Sequence, residues 1–396
     1  MPGRPDRLKV IHVASRLNAG GLAVQVLNAC SELNRRGWDC SVAAGRAGAD
    51  EAEMREIDAS WDKVFIHDIA DLGRKIRPWS DLSAIWHLYR LFRREHPSVV
   101  HTHASKAGVL GRIAARLARI PVVVHSFHGH VFRYYFPPIV SRLIVWIERL
   151  LGRLTDAVVL PCESLAMEMA EEFRIIPHRK ARIVRYGIDV GRFCKKRPSR
   201  RYARKNLGIP EDALVVGAVG RLAPIKDHAM LISAFNRLPP SIRNRDVRLL
   251  VHGDGECRQE IEGQIRDLRL TNRVHFIPWA KDLRVLYAAL DILAITSKSE
   301  GMPISAIEAM ASDVLVVARA VGGVPDLIQD FKTGRLAHDH SPEGFYALLH
   351  VHLERNDGKN EYITEKAFSF VQENHPLSAL GDDTEALYRE LLEIPA

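Results

Sequence analysis

The chain has 396 residues, 47% of them hydrophobic, with a formal charge of +8 and a pI near 9.3; this provides for two or three packed domains and excludes a disordered chain. Its longest apolar region, residues 139 to 151, is broken by Arg142, Glu148 and Arg149 and lacks the ~20 uncharged residues of a spanning helix, while the polar opening MPGRPDRLKV has no signal-peptide core. The expectation is a cytoplasmic protein without a transmembrane anchor, whose excess positive charge suits an anionic partner: nucleic acid, an acidic membrane face or a phosphorylated substrate.

Short β-branched runs alternate with helical periodicity along the chain, the pattern of parallel α/β sheets. The first strands are expected at residues 10–15, 41–45, 63–69, 99–103, 122–126 and 157–160, with helices such as AVQVLNACSELNRRG and KAGVLGRIAARLARI between them. Gly20 and Gly21 open the first helix at Leu22. Five histidines follow: His101, His103, His125, His128 and His130. The H-x-H on a strand puts both rings on one face, which is ligand-like, yet no Cys or carboxylate completes the set. Polar lining of a cleft is the competing reading, and no metal is expected.

A helix is expected at 139–154, burying Val140, Leu143, Ile147, Leu150 and Leu154, with Arg142, Trp146, Arg149 and Arg153 along one flank. That flank is either an ordinary solvated face or a surface for anionic lipid headgroups. The basic run KKRPSRRYARK, residues 195 to 205, reads as an interdomain linker. It lacks the interleaved aromatic residues that base stacking requires, so nucleic acid is not an expected partner. The strand rhythm restarts at 214–220 and continues through 247–253, 274–277, 292–296 and 315–319. The last 35 residues are helical in pattern, with Leu387, Tyr388, Leu391 and Leu392 expected to dock on the first unit. Two doubly wound units result, with boundaries set at 1–190 and 191–375 and a terminal helix at 376–396. Single, scattered cysteines (Cys30, Cys40, Cys162, Cys194, Cys257) suit reduced thiols.

Charged residues then cluster where such sheets bind ligands, beyond the carboxyl ends of strands. Arg221 follows the strand ending at Gly220, and Asp227 is placed to cap the next helix, leaving Lys226 beside the positive end of its dipole. Two cations and free backbone N–H groups suit a diphosphate; pairing with surface acids is the alternative. Glu300 stands just before Gly301 and Pro303, which open a helix. Stepping 100° per residue from Ile304 puts Ile307, Glu308 and Ala311 on one apolar arc, so Glu308 points inward. A buried carboxylate requires donors, either ribose hydroxyls or a salt bridge from a neighbouring helix.

The series Gly220-Arg221, Lys226-Asp227, Gly253-Asp254-Gly255, Glu300-Gly301, Glu308 and Gly322-Gly323-x-Pro325 resembles the retaining glycosyltransferases of family 4. NAGGLAVQVLNACSEL, VVHTHASKAG and HSFHGHVF are similar to that family's N-terminal segments, so the resemblance spans nearly the whole chain. It implies the GT-B fold, two Rossmann-like domains facing each other across a cleft, and a nucleoside diphosphate sugar, UDP-linked in this reading, as donor without a metal ion. The implied acceptor is a glycan or lipid-linked glycan of surface polysaccharide biosynthesis, with peripheral contact to an anionic membrane. In the implied site Arg221 and Lys226 neutralise the leaving diphosphate, Glu300 meets the donor sugar and Glu308 the ribose. Gly301, Met302, Pro303 and Ile304 form the backbone segment beside the donor, Gly253 and Ile277 complete the nucleotide side, Gly20 and Gly21 approach the phosphates and acceptor, and His128 stands beside the reacting sugar. Two departures occur: Phe276-Ile277-Pro278 replaces a frequent Phe-Leu-Gly, and Tyr186-Gly187 replaces a frequent Asn-Gly at the domain crossing.

Other classes fit less well. The G-x-G-x-x-G of a dinucleotide oxidoreductase is missing after the first strand. A glycosidase needs two flanking carboxyl groups, and Glu300 and Glu308 are assigned to donor binding. A sugar-nucleotide epimerase of the same shape would bind the same donor and need no acceptor. A non-catalytic basic membrane-binding protein would be indifferent to Arg221 and Glu308.

Overall fold

The computed structural model describes residues 8–18, 20–46, 48, 54, 61–73, 76–129, 132–194, 198–277, 282–355 and 357–395. His130, Pro278 and Lys195 to Arg197 of the basic run lie outside the described residues. The chain divides into two compact units, Met1–Gly187 with Leu377–Ala396, and Ile188–Pro376.

The first unit is built on β1 (Lys9–Arg16), β2 (Asp39–Gly45), β3 (Phe65–Asp68), β4 (Val99–His103), β5 (Val122–Ser126), β6 (Ala157–Leu160) and β7 (Ala181–Ile183). Their order is β3-β2-β1-β4-β5-β6-β7, all parallel. Both faces are covered, as parallel strands require. Val10, Ala14, Val99 and Val124 pack with Leu27 and Leu33 of helix Gly21–Arg35 and with Leu380 and Tyr388 of helix Leu377–Leu391. Ile11, Val13, Val100 and Val123 pack on the other face with helices Pro78–Glu95 and Ser105–Leu117. The terminal helix is further tied by Arg36 to Asp382 at 2.6 Å and by the Trp38 indole N–H to Glu385 at 3.2 Å. Gly187 is held at the end of this unit: Gln25 both donates to and accepts from its backbone, and Asn28 donates to its carbonyl.

The second unit carries β8 (Leu214–Val219), β9 (Ser241–Ile242), β10 (Arg245–His252), β11 (Val274–Ile277), β12 (Ile292–Ile295), β13 (Leu315–Arg319) and β14 (Arg335–Ala337). The order is β11-β10-β8-β12-β13-β14, again parallel, with β9 antiparallel on the edge of β10. One face buries Val216, Leu249 and Val317 against Leu231, Phe235, Phe345 and Leu349. Each sheet reverses its winding once, between β1 and β4 and between β8 and β12, and those two crevices are where ligands collect in such sheets. β7, β9 and β14, of two or three residues each, are too short to show a period in the sequence.

One helix is turned opposite to expectation. Helix Pro138–Arg153 leaves Val140, Leu143, Leu150 and Leu154 exposed, together with Ile139 and Trp146, and Ile147 half-buried; it buries Ser141, Glu148, Leu151 and Gly152. The cause lies on helix Ser105–Leu117. Arg112 there is fully buried, its Nε donates to the Gly108 carbonyl and its Nη2 to Glu148 at 2.7 Å, so Glu148 must face inward. Gly152 follows on the same side, where a Cβ would stand 2.6 Å from the Ile175 carbonyl oxygen. Among the described residues, no helix is long and apolar enough to cross a membrane.

Candidate functional site

In the second unit, β8 runs into Gly220, at φ 141°, and then Arg221, which is half-buried and has no ion-pair partner among the described residues. A short turn over Pro224–Lys226 leads to Asp227 in the left-handed region, φ 51° and ψ 45°. The expectation that Asp227 caps helix His228–Asn236 is corrected: its side chain makes no cap bond. The carboxylate turns to Arg319 at the end of β13, 2.8 Å away, and the same guanidinium donates to the carbonyls of Thr296 and His340. An ion pair to a buried arginine outweighs a surface cap bond here, since leaving Arg319 unpaired would cost several kcal/mol. Thr296, just past β12, donates its hydroxyl to the carbonyls of Lys226 and Asp227, stitching the two loops together.

Lys226 and Glu300 meet across that crevice. Nζ of Lys226 lies 2.5 Å from Oε1 of Glu300, and the Ser297 hydroxyl donates to the same oxygen at 2.5 Å. The backbone of Glu300 is fixed by the next loop: Gly323 N–H donates to its carbonyl, and Gly322, at φ 52°, is so close that a Cβ would fall 2.0 Å from that oxygen. Only glycine fits at 322. Lys226, His228, Thr296, Ser297, Glu300 and Ser305 line a small pocket. His228 is neutral at pH 7, its pKa pushed to about 4 by burial and by the nearby Lys226. Arg221, Gly253, Ile277 and Glu308 do not line this pocket. Gly253 and Ile277 are joined to each other, the Gly253 N–H donating to the Ile277 carbonyl at the ends of β10 and β11. Gly301, Met302, Pro303 and Ile304 are buried and lead into helix Ile304–Met310.

Glu308 is buried on that helix, as the periodicity predicts. Among the described residues its partner is not a salt-bridging cation but the hydroxyl of Tyr287, donating to Oε2 at 2.7 Å from helix Leu283–Ala289. Burial raises the Glu308 pKa to about 7, against the opposing pull of Tyr287 and Arg192. A carboxyl poised there gains from any further hydroxyl donor brought to it.

The crevice of the first unit is of another kind. Helix Gly21–Arg35 starts after Gly20, whose φ of 160° is ordinary extended backbone and where a Cβ would meet nothing nearer than the Asn18 carbonyl oxygen at 3.9 Å. The fold itself does not demand glycine at 20. Through the same unit runs a line of hydrogen-bonded rings. Tyr186 OH lies 2.7 Å from Nδ1 of His128, Nε2 of His128 lies 2.9 Å from Nδ1 of His103, and Nε2 of His103 lies 2.8 Å from Nδ1 of His12. Nε2 of His12 is 3.5 Å from Tyr388 OH, which is 2.6 Å from Nδ1 of His101; Nε2 of His101 reaches the Ser126 hydroxyl at 2.7 Å. Burial lowers the pKa of His12 to about 3 and of His128 to about 4, and holds His101 and His103 well below the usual imidazole range. His125 stands apart from this line, on Thr102 at 2.9 Å.

The side-chain nitrogens of His12, His101 and His103 lie within 4.8 Å of one another, so the H-x-H geometry is ligand-like as expected. Each ring nitrogen is nevertheless engaged with another ring or a hydroxyl. His12 carries no role in the sequence reading, Tyr388 enters it only as a docking residue and Tyr186 only as a departure at the domain crossing. The register offers one signal, because His12 on β1 pairs with His101 on β4. For Tyr388, buried and 287 residues from His101, the sequence offers none.

On the same unit, the C-terminal end of helix Pro138–Arg153 borders a cleft of about 480 Å³ lined by Arg149, Arg153, Arg174, Arg179 and Lys180. Lys180 donates to the carbonyls of Gly152 and Thr155, and burial lowers its pKa.

The sequence matches the family Glycosyl transferases group 1 over residues 199–369 and the Glycosyl transferase 4-like domain over residues 20–187. It is 27% identical over 289 residues to the UDP-Gal:alpha-D-GlcNAc-diphosphoundecaprenol alpha-1,3-galactosyltransferase of Escherichia coli, spanning 73% of this chain and 74% of that protein. It is also 27% identical over 398 residues to the D-inositol 3-phosphate glycosyltransferase of Corynebacterium aurimucosum, spanning 95% and 92%. Among solved structures, Anabaena HepE in complex with UDP and glucose superimposes with a TM-score of 0.81 at 19% identity, covering 97% of this chain and 100% of that one. WaaG, a glycosyltransferase involved in lipopolysaccharide biosynthesis, gives 0.74 at 19% identity, covering 96% and 99%. With both sheets wound alike and both halves matched, the chain belongs to the group 1 glycosyl transferases of family 4, with the GT-B fold, and is a hexosyltransferase-type enzyme.

Proposed function

We propose that the protein is a retaining glycosyltransferase that takes a sugar from a UDP-linked donor and passes it to a glycan or lipid-linked acceptor in surface polysaccharide biosynthesis. The observation that carries this reading is the Lys226–Glu300 contact at the β8/β12 crevice, a partly exposed cation held beside an acid at the place where such sheets take phosphates. Lys226 and Arg221 neutralise the charge that develops on the leaving diphosphate, and this stabilisation replaces both a metal ion and a protonating acid. Glu300, released from Lys226, accepts from hydroxyls of the donor sugar. Glu308, with Tyr287 on one oxygen, takes the ribose hydroxyls on its free capacity. Gly253 and Ile277 border the nucleotide, and the Gly301 to Ile304 segment backs the sugar. In the first unit, Gly20 and Gly21 leave room for phosphates and acceptor, consistent with a glycine that its own fold does not require. His128 serves the reacting sugar. The E. coli relative named for a UDP-sugar and a diphosphoundecaprenol acceptor supports this choice of substrates.

The outward face of helix Pro138–Arg153 favours a lipid-linked acceptor presented at a membrane. Leaving large apolar side chains such as Ile139, Leu143 and Trp146 in water forgoes ~1.5–3 kcal/mol each. Together this exceeds the ~3–5 kcal/mol at stake in the Arg112–Glu148 pair, so the face calls for a cover. Arg142, Arg149 and Arg153 on the same helix, with the basic cleft at its end, match the headgroups of an anionic bilayer. In this reading the protein works in the cytoplasm, peripheral to the inner membrane face.

A donor screen tests the proposal. Thermal shift and hydrolysis across UDP-, GDP- and ADP-sugars are expected to single out a UDP-sugar, and mass analysis of products to show an enlarged acceptor. An isomerised donor with no enlarged acceptor would identify an epimerase instead. Flotation with phosphatidylglycerol-containing vesicles, lost in Leu143→Glu and absent with phosphatidylcholine alone, tests the membrane face; equal flotation of both proteins would reject it.

A further inference from the structure

A neutral imidazole has one N–H and one bare nitrogen, so a line of neutral rings bonded nitrogen to nitrogen has a direction, and fixing one ring fixes the next. The bond lengths give the direction here. Hydroxyl donors make the shorter bonds, and Tyr388 lies 2.6 Å from His101 but 3.5 Å from His12. Its single proton therefore goes to Nδ1 of His101, and its oxygen can only accept from His12. His12 then carries its proton on Nε2 and accepts at Nδ1 from Nε2 of His103, which in turn accepts at Nδ1 from Nε2 of His128. The 2.7 Å approach of Tyr186 OH to Nδ1 of His128 agrees with a hydroxyl donating there. The alternative direction would spend the Tyr388 proton on the 3.5 Å link and leave its 2.6 Å contact to an N–H donor.

We infer that His12, His101, His103 and Tyr388 form a buried hydrogen-bonded chain that sets the tautomer of His128 and keeps its Nδ1 an acceptor for a hydroxyl. Tyr186 holds that acceptor position in this structure, and a substrate hydroxyl would take its place. His12, His103 and Tyr388 are thus positioning residues acting through His128, and the terminal helix, by carrying Tyr388, helps to set the proton of a residue far earlier in the chain. The consequence for turnover rests on the proposed role of His128 beside the sugar; the tautomers themselves do not.

Long-range proton–nitrogen correlation spectra of the full-length, 15N-labelled protein read the tautomers without substrate. The expected result is the Nε2–H form at His12, His101, His103 and His128. An Nδ1–H form or a mixture at His103 or His128 would overturn the inference, as would a metal ion bound in stoichiometric amount to these rings in the purified protein. His12→Phe keeps the ring that stacks on His103, with centroids 5.1 Å apart, and removes the acceptor, so both tautomers should appear at His103 and His128. Unmoved His128 signals in that variant would be equally fatal; should it fail to fold, Tyr388→Phe supplies the milder break and the parent spectrum decides by itself. In turnover, His12→Phe should lower kcat at least about tenfold with donor KM nearly unchanged, toward the ~10⁴-fold that a wrong tautomer costs a hydrolytic triad. Fixed tautomers in a protein whose His128→Ala variant keeps full activity would defeat the proposed role of His128 and leave the chain standing.

Discussion

The two crevices share one topology and opposite electrostatics. At β8/β12 the side chains are ions: Lys226 with Glu300, Arg319 with Asp227, and Arg221, which has no ion-pair partner among the described residues. At β1/β4 the strands carry hydrogen-bonded rings kept neutral by burial, with the buried Arg112–Glu148 pair on the helices behind. The contrast teaches that one winding of strands can hold either an exchangeable charge, suited to a diphosphate that arrives and leaves, or a fixed pattern of donors and acceptors, suited to orienting hydroxyls. A Lys–Glu pair with a partly exposed lysine opens at little cost, whereas a buried ring network is costly to leave half satisfied.

Removing the exchangeable charge should have the largest effect. Lys226→Ala is expected to lower turnover by ~10²–10³, as loss of one group aimed at developing charge does, with little change in thermal unfolding. Steady-state kinetics on the matched donor check this, and a fully active variant would erase the functional side of the contrast.

Next comes the pH dependence of stability, where the buried histidines and Glu308 act with opposite sign. His12 and His128 have folded pKa values of about 3 and about 4, below the ordinary 6.5. The unfolded chain binds more protons between these values, so their contribution is present above pH 6.5 and is lost as pH falls through the folded pKa values. His228 and His252, both lowered to about 4 chiefly by burial, add to this acid limb from the second unit. Glu308, raised from 4.5 to about 7, does the reverse: its contribution is present below 4.5 and is lost as pH rises through 7. At ~1.4 kcal/mol per pKa unit each effect is of order a few kcal/mol. Urea unfolding across this range should show a flatter acid limb in His12→Phe and a flatter alkaline limb in Glu308→Gln; variant curves parallel to the parent's would deny the assignment.

The smallest expected effect is on nucleotide affinity. Glu308→Ala should weaken UDP binding by ~1–3 kcal/mol through lost charged hydrogen bonds. Calorimetry with UDP and GDP checks it, and unchanged affinity would take Glu308 out of the site while leaving Lys226 in question.

Much of this was legible beforehand, for local reasons. Strands such as 99–103, 122–126, 157–160, 274–277 and 315–319 are bounded in the structure as their β-branched runs suggest. The inward turn of Glu308 follows from helical geometry alone. Helix Pro138–Arg153 was misread because its apolar stripe was assumed to face inward, while a buried arginine 36 residues earlier dictated otherwise. The role of Asp227 was misread for the same kind of reason, its partner Arg319 lying 92 residues away.

What the amino-acid sequence determined by itself is the pair of parallel α/β units and the strand ends at which the charged residues sit, because periodicity and turn residues act over a few neighbours. Which groups meet was decided only by the tertiary structure. Tyr287 reaches Glu308, Lys226 reaches Glu300, and Tyr388 closes a line of histidines that begins at Tyr186, through contacts between residues up to 376 positions apart. A hydrogen bond extends about 3 Å and is indifferent to separation along the chain, so its partners exist only once the sheets have brought them together.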